Sequence, residues 1–244
     1  MAYALAAFTA ALIVWRLRLL SAGGAASAFV VGFVAVYAGG WGAAAPLLAF
    51  FVGSAALGRL RGRERETRGT GQVWANGLAA TLCAMGSLLG VGEWVWAGYA
   101  AAWAQAAADT WATEVGIGWG GRPRSILTGR ALEAGESGGI TLLGTVAAFA
   151  GALFVSVIGS VALGLPWIVP AIAGFAGSLL DSLLGATLQV RFRCAVCGRI
   201  VETPRHCSKA SQRISGAALL TNSGVNVASN LAATLAACLI AFRN

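Results

Sequence analysis

The sequence predicts an all-α fold, a bundle of about eight transmembrane helices, and two observations indicate it. Hydrophobic residues make up 58% of the 244 residues, and charged residues only 11%. In soluble domains, apolar residues average about 45–50% and charged residues about 25%. The apolar stretches are also long, and short charged or Gly/Pro-rich connections separate them. This composition excludes a soluble enzyme, a disordered chain and a secreted disulfide scaffold.

The apolar stretches define eight spans, which we treat as a single membrane domain covering residues 1–244. In chain order the predicted spans are Met1–Trp15, Ala22–Gly39, Trp41–Gly58, Trp74–Gly90, Trp94–Gly116, Gly138–Leu163, Trp167–Val190 and Ile214–Ala241. The first three are short for a hydrocarbon layer of about 30 Å, so their predicted ends are approximate, and a tilted or re-entrant helix is an alternative for one of them.

Basic residues in the connections predict the orientation of the spans. The connections Arg16–Ser21, Arg59–Val73, Gly118–Ser137 and Arg191–Arg213 contain 16 of the 17 basic residues. The positive-inside rule places them in the cytoplasm and both termini outside. The net charge of +8 therefore reflects topology, and we expect a multi-pass protein of the inner cell membrane with no nucleic-acid partner. No basic leader precedes the first apolar stretch, so we expect no cleaved signal peptide.

Three of the nine acidic residues fall inside predicted spans, namely Asp109, Glu114 and Asp181. They include both aspartates of the chain, and all three lie in the cytoplasmic half of their spans. A charged side chain at the centre of a membrane helix costs about 2.5–3.5 kcal/mol, so such residues usually serve a function. The alternative is an interhelical hydrogen bond or ion pair, but no Lys or Arg lies within the spans as a partner.

Polar residues at helical spacing accompany these acids on four spans. The stripes are Ser178, Asp181, Ser182, Gly185 and Gln189; Gln105, Asp109 and Thr113; Asn222, Asn226 and Asn230; and Gln72 and Asn76. Any one stripe is typical of hydrogen bonding between membrane helices. Four stripes at one depth instead predict a polar cavity that opens to the cytoplasm. Its oxygen ligands suit Mg²⁺, which commonly bridges phosphates.

The last connection, residues 191–213, contains Cys194, Cys197, His206 and Cys207. A Cys-x₂-Cys pair followed by His and Cys supplies the ligand types of a structural, tetrahedral Zn²⁺ site. His206 and Cys207 are adjacent, which leaves three protein ligands plus another group as an alternative, and a loop of free thiols as a second one. We expect a zinc knuckle that is structural and takes no part in chemistry.

A connection rich in arginine and glycine is expected near the cavity. Arg124 lies in its arginine-rich part, and Ser137, Gly138 and Gly139 are predicted to begin a helix. Backbone amides at a helix N-terminus bind anions, and arginine binds phosphate with two hydrogen bonds. Together with the carboxylates, this connection indicates metal-assisted phosphate chemistry.

Several strings resemble one integral membrane family, catalogued as domain of unknown function 92 or transmembrane protein 19, which includes plant phytyl-phosphate kinase. They are Ala108–Gly116 (ADTWATEVG), Ser137–Thr141 (SGGIT), Gly177–Gln189 (GSLLDSLLGATLQ), Gln72–Gly77 (QVWANG) and the Cys/His group. The resemblance implies transfer of the γ-phosphate of a nucleoside triphosphate, CTP or ATP, to an isoprenyl monophosphate. By position, the family's polar motif residues are Asp109, Glu114, Asp181, Asn76, Asn222 and Asn226.

The chain also departs from the family pattern. Thr70-Gly71 stands where the family usually has an acidic residue, and Thr221 or Ser223 stands where it usually has Asp. Fewer carboxylates are consistent with one metal ion in place of two, or with a different phosphate donor or acceptor. The expected site therefore has Mg²⁺ on Asp109 and Asp181, with Glu114 assisting.

The remaining polar side chains are expected to bind lipid phosphate and nucleotide. They are Gln72, Asn76, Thr113, Arg124, Ser137, Gly138, Gly139, Ser178, Ser182, Gln189, Asn222 and Asn226. Two other functions stay open: a transporter or flippase that uses the same acids as a relay, and nucleotidyl transfer to a lipid phosphate. The concentration of polar residues in one half of the membrane argues against transport. The sequence leaves the oligomeric state open.

Overall fold

The computed structural model describes residues 1–60, 62 and 67–243. The predicted basic connection Arg59–Val73 therefore lies partly outside the described residues. Seven helices occur in the described part of the chain: α1 (Ala2–Arg16), α2 (Ala22–Leu60), α3 (Thr70–Leu88), α4 (Val95–Trp119), α5 (Leu142–Leu163), α6 (Ile168–Thr187) and α7 (Asn222–Arg243). Six short strands accompany them: β1 (Arg124–Ser125), β2 (Gly139–Ile140), β3 (Arg191–Cys194), β4 (Ile200–Val201), β5 (Arg205–His206) and β6 (Lys209–Ser215).

Helix α4 is the centre of the bundle and packs against α2, α3, α5, α6 and α7. Every residue from Val95 to Ala108 is buried. Many of these residues are alanine, and small side chains let membrane helices approach closely. The central helix therefore presents its polar residues to its neighbours and not to the surrounding lipid.

Helix α2 contains two of the predicted spans and is interrupted between them. Gly40 has φ 61° and ψ −159°, a conformation outside the helical region that glycine adopts without strain. The 39 residues of α2 would extend about 58 Å as one straight helix, roughly twice the hydrocarbon thickness of a bilayer. The break at Gly40 coincides with the predicted boundary between the second and third spans.

Four helices of the described chain, α2, α5, α6 and α7, are long and apolar enough to cross a membrane. Helix α1 is apolar but has only 15 residues. The prediction of a membrane helix bundle is therefore confirmed. Helix length and composition identify four candidate membrane-spanning helices among the described residues, and not the eight spans that were predicted.

The expectation of an all-α fold is wrong in one respect, because the connections form two small antiparallel sheets. Strands β1 and β2 pair with each other, and the other four strands have the order β4-β3-β6-β5. The second sheet contains the predicted knuckle. Its glycine turn at Gly216 (φ 80°) lies against the carbonyl group of Gln189, directly after α6.

Two predicted spans begin later than expected. Gly138 has φ 80° and Gly139 belongs to β2, so α5 begins only at Leu142. The Thr141 hydroxyl accepts a hydrogen bond from the Gly144 N–H at 3.0 Å and caps that helix. Likewise, Ile214 belongs to β6, and α7 begins at Asn222. Strand pairing therefore uses residues that hydropathy alone assigns to the membrane.

Candidate functional site

A cavity of about 410 Å³ lies between the six helices α2 to α7 and the two sheets. It brings together the three predicted acids and eleven of the twelve predicted binding residues. These are Asp109, Glu114, Asp181, Gln72, Asn76, Thr113, Ser137, Gly138, Gly139, Ser178, Ser182, Gln189, Asn222 and Asn226. Each of the four polar stripes therefore contributes residues to one space.

Arg124 is the predicted binding residue that does not line the cavity. Its Nη1 donates a hydrogen bond to the Gly129 carbonyl at 3.0 Å, within its own exposed connection. Arg59 at the end of α2 and Arg68 before α3 line the cavity instead. Two arginines that the positive-inside rule explains as topology signals therefore supply the cationic side chains of the described cavity lining.

Asp181 is held by a chain of hydrogen bonds that joins α6, α7 and α4. Ser229 Oγ donates to Asp181 Oδ2 at 2.7 Å, and Gln105 Nε2 donates to Ser229 Oγ at 3.2 Å. Asn230 Nδ2 donates to Gln105 Oε1 at 2.6 Å and to the Ala102 carbonyl at 2.8 Å. Ser229, Gln105 and Asn230 are at most 1% exposed. The Asp181 carboxylate is therefore fixed in orientation by buried partners.

Asp109 lies on α4, which packs directly against the helix of Asp181. The two carboxylates border the same cavity and are close enough to interact electrostatically. Two like charges are stable at such a place when a cation lies between them. With the amides of Asn76, Asn222 and Asn226, they offer the hard oxygen ligands that Mg²⁺ prefers. The donor set therefore fits a magnesium ion.

Two buried polar atoms in the cavity wall have no hydrogen-bond partner among the described residues: Gln189 Nε2 and Ser54 Oγ. The two residues are 3% and 2% exposed. An unpaired buried donor costs about 1–3 kcal/mol, so such groups usually have a bound partner. Both atoms are therefore candidate contacts to a ligand. Gln189 was predicted from its helical spacing, whereas Ser54 was missed because no polar stripe surrounds it.

Two further acids at the cavity mouth, Glu136 and Glu202, were placed in loops by the sequence and given no role. The Ser137 hydroxyl donates a hydrogen bond to Glu202 Oε1. Arg191 Nη2 donates to the Ser137 carbonyl at 3.4 Å, and its Nη1 lies 4.0 Å from Glu136 Oε1. These contacts connect the four-stranded sheet with the α4–α5 connection. Sheet pairing between distant residues brings these acids to the cavity, and helical spacing cannot reveal it.

The predicted zinc ligands Cys194, Cys197, His206 and Cys207 form a compact group. Their sulfur atoms and the histidine nitrogen all lie within 4.8 Å of one another. His206 Nδ1 lies 3.5 Å from Cys197 Sγ and 3.3 Å from Cys207 Sγ. Ligands about 2.3 Å from a tetrahedral zinc ion are separated by somewhat less than 4 Å, so the group fits Zn²⁺.

Backbone conformation explains how the adjacent His206 and Cys207 both join this group. Cys207 and Ser208 have φ 51° and 60°, a left-handed turn that brings the Cys207 side chain beside the His206 ring. At the other turn, the Val196 N–H donates to Cys194 Sγ at 3.4 Å. The adjacency of His206 and Cys207 is therefore compatible with four protein ligands.

The thiols of this group have unequal acidity. Hydrogen bonds from the Cys197 backbone and from His206 lower the pKa of Cys194 to about 6. The neighbouring Cys197 and Cys194 side chains, together with desolvation, raise the pKa of Cys207 to about 11. Thiolate is the form that binds metal, and Cys194 favours it before any ion binds.

The fold and the site together define an integral membrane protein with a carboxylate-lined cavity at one end of its helix bundle. The chain belongs to the family described as Integral membrane protein DUF92, whose family model matches residues 5–234. The resemblance drawn from the sequence motifs is thereby confirmed.

Curated relatives occur in plants, cyanobacteria and archaea. Protein PGR of Arabidopsis thaliana is 37% identical over 137 residues, which are 50% of this chain and 46% of the plant protein. The match thus spans about half the length of that relative. An uncharacterized membrane protein of Synechocystis is 33% identical over 70% of this chain and 73% of its own length. An uncharacterized membrane protein of Methanocaldococcus jannaschii is 32% identical over 73% of this chain and 79% of its own length. No solved structure matches the chain significantly.

Proposed function

We propose that this protein is a membrane lipid kinase that transfers the γ-phosphate of a nucleoside triphosphate, CTP or ATP, to an isoprenyl monophosphate. One observation carries the proposal: Asp109 and Asp181, the only aspartates of the chain, border a single polar cavity within a membrane bundle. The family resemblance supplies the expected substrate class. The product is the isoprenyl diphosphate.

In this reaction an oxygen of the lipid phosphate attacks the γ-phosphorus, and the bond from that phosphorus to the β–γ bridging oxygen breaks. The nucleoside diphosphate leaves with the electron pair. Such transfer depends on positioning and on neutralising the phosphate charges, and little covalent chemistry is asked of the protein. The absence of a histidine from the described cavity lining is therefore no objection.

The residues of the cavity divide these tasks. Asp109 and Asp181 would hold Mg²⁺, which when bound offsets the charge on the phosphates. Arg59 and Arg68 add positive charge to the same cavity. The unpaired Gln189 Nε2 donates to a phosphate oxygen in this proposal. Glu114, at the aqueous mouth, assists more weakly.

We further propose that the bundle crosses the membrane eight times, with α2 crossing twice about Gly40. Contacts between helix ends support this arrangement, in which the helices begin and end at two levels, one at each side of the membrane. At one level the Tyr3 and Trp41 rings lie 5.3 Å apart and the Trp94 and Phe242 rings 5.5 Å apart. At the other level lie the two sheets and the cavity. The positive-inside rule places that second level in the cytoplasm, where nucleotide is available.

The Cys/His group is proposed to hold a structural Zn²⁺. A bound zinc ion would fix the two hairpin turns of the four-stranded sheet relative to each other. That sheet supplies Glu202, which accepts the hydrogen bond from Ser137 at the cavity mouth. Zinc would therefore stabilise the mouth of the cavity without contacting the reacting phosphates.

The test uses purified protein, γ-labelled nucleotide, Mg²⁺, and geranylgeranyl or phytyl monophosphate, with the lipid products resolved. We expect labelled isoprenyl diphosphate and a nucleoside diphosphate. Asp109→Asn and Asp181→Asn should each lower turnover by about a hundredfold or more while the protein stays folded. Glu93→Gln, which changes an exposed carboxylate outside the cavity, is the matched control and should retain turnover.

Near-normal turnover in either aspartate variant, or turnover that survives chelation of Mg²⁺, would contradict the mechanism. Release of pyrophosphate would identify nucleotidyl transfer in place of kinase chemistry. Movement of lipid across a vesicle membrane without a phosphorylated product would identify the flippase alternative.

A further inference from the structure

A second cavity, of about 70 Å³, lies between the two halves of α2 and the beginning of α3. Trp103 of α4 closes its inner end, and this ring stacks on Phe50 at 5.5 Å between centroids. Most of its lining is apolar and includes Ala28, Val31, Leu47 and Phe50. Ala28 and Leu47 are only partly buried, so the cavity reaches the outer surface of the bundle, which faces lipid.

The second cavity adjoins the large polar one. Phe51, Arg68, Gln72 and Asn76 line both. Arg68 is the only charged residue among the described residues of the smaller cavity, and its guanidinium lies 5.8 Å from the Phe50 ring centroid. A cation therefore stands at the junction between an apolar space and the cavity with the aspartates. This arrangement is complementary to an anionic head joined to an apolar chain.

We propose that the smaller cavity binds the first isoprene unit of the lipid acceptor, whose phosphate then lies beside Arg68 and Asn76. This inference rests on the proposed kinase function and names the part of the site that selects the lipid. One water-sized group needs about 10–15 Å³ of such space, so a cavity of 70 Å³ holds a short branched apolar segment but not a whole isoprenyl chain. The rest of the chain passes outward between α2 and α3 into the bilayer.

The position of this cavity separates the two substrates. Lipid reaches the aspartates from α2 and α3, whereas Gln189 and the loop residues Ser137 and Glu202 lie at the α6 side of the large cavity. Residues of the smaller cavity should therefore determine acceptor affinity without altering nucleotide affinity. A purely structural role would change both.

The first experiment fills the smaller cavity by Ala28→Phe. The matched control is Ala26→Phe, the same substitution two residues away at an exposed position of the same helix that lines neither cavity. Excluding the apolar unit should raise the KM for geranylgeranyl monophosphate about tenfold or more. The KM for nucleotide should stay within about twofold, and the control should match the wild type. If Ala28→Phe lowers the melting temperature, the smaller Ala28→Leu should show the same direction of change.

An unchanged acceptor KM in a folded Ala28 variant, or an equal rise in both KM values, would overturn the inference. Neither result bears on whether the wild-type protein transfers phosphate.

The second experiment needs no turnover. An isoprenyl monophosphate with a diazirine on its first isoprene unit is irradiated with the protein without nucleotide, and labelled residues are mapped by mass spectrometry. We expect labels at Ala28, Val31 and Val73, reduced by excess unlabelled lipid phosphate. Labels on α5 or α6, or no specific label, in a protein that transfers phosphate would refute the lipid site alone. Labels at the expected residues without any transfer would refute the kinase and leave the lipid site standing.

Discussion

The hydrogen bond from Ser229 to Asp181 offers a direct test of the proposed metal site. Ser229→Ala removes the hydroxyl that donates to Asp181 Oδ2 at 2.7 Å and leaves the carboxylate in place. A hydrogen bond to a charged group contributes about 1.5–3 kcal/mol, and loss of a partner behind a metal ligand typically weakens metal binding about 10–100-fold. We therefore expect the Mg²⁺ concentration for half-maximal turnover to rise by about tenfold or more.

Turnover at saturating Mg²⁺ should fall much less, within about threefold, because both metal-binding carboxylates remain. The loss also removes the acceptor of Gln105 Nε2. Leaving that buried amide unpaired should lower the free energy of unfolding by about 1–3 kcal/mol. Magnesium titrations of lipid phosphorylation and thermal unfolding in detergent measure the two effects separately.

Ser156→Ala is the matched control. Ser156 is also completely buried, but its Oγ has no hydrogen-bond partner among the described residues and it does not line the cavity. The same chemical change should leave the Mg²⁺ requirement unaltered and the stability equal or slightly higher. The reasoning is refuted if Ser229→Ala titrates with Mg²⁺ like the wild type, or if both variants shift equally.

Three further predictions concern the sheets and the topology. Protein purified without chelators should contain about one equivalent of zinc, and Cys197→Ser should lose zinc and thermal stability together; metal analysis that finds no zinc would exclude the knuckle. Gly138→Ala should destabilise the protein by about 2–4 kcal/mol, because φ is 80° and a Cβ would overlap helix α6. Gly135→Ala, with φ 87° but open space around it, should cost about 1–2 kcal/mol in the same unfolding assay, and equal losses would contradict the packing argument. In intact cells a membrane-impermeant maleimide should label Val91→Cys but not Thr128→Cys, and the opposite result would invert the topology.

The polar lining of the cavity could be predicted because it follows from helical spacing. Residues three and four positions apart share one face of a helix, so the sequence places Ser178, Asp181 and Ser182 together without any knowledge of their neighbours. The free energy of placing a carboxylate in lipid adds a second constraint, because such a residue must face a polar interior. The matching depth of the stripes indicated four of the helices around that interior, whereas α2 and α5, which carry no polar stripe, also line it.

The parts that the sequence did not predict depend on pairing between distant residues. Strands of two residues, such as β2, are too short to show an alternating pattern, and glycine at Gly138 looked like the start of a helix. The contact of Ser137 with Glu202 joins residues 65 positions apart. Arg124 satisfies a carbonyl group of its own connection. Basic residues in a loop therefore predict an orientation in the membrane, but they do not reveal which guanidinium reaches the cavity.

The hydrogen bonds between α4 and α7 have a consequence for biosynthesis. They join residues 124 to 128 positions apart, and one partner belongs to the C-terminal helix of the described chain. Gln105 therefore enters the membrane long before Ser229 and Asn230 have been synthesised. Until they arrive, the amide of Gln105 and the acid of Asp181 lack these partners, and polar groups of this kind are costly in lipid. Arrival of α7 thus supplies these partners and completes the described cavity lining at once. A nascent chain that stops before α7 presents unpaired polar groups that membrane proteases and chaperones can detect.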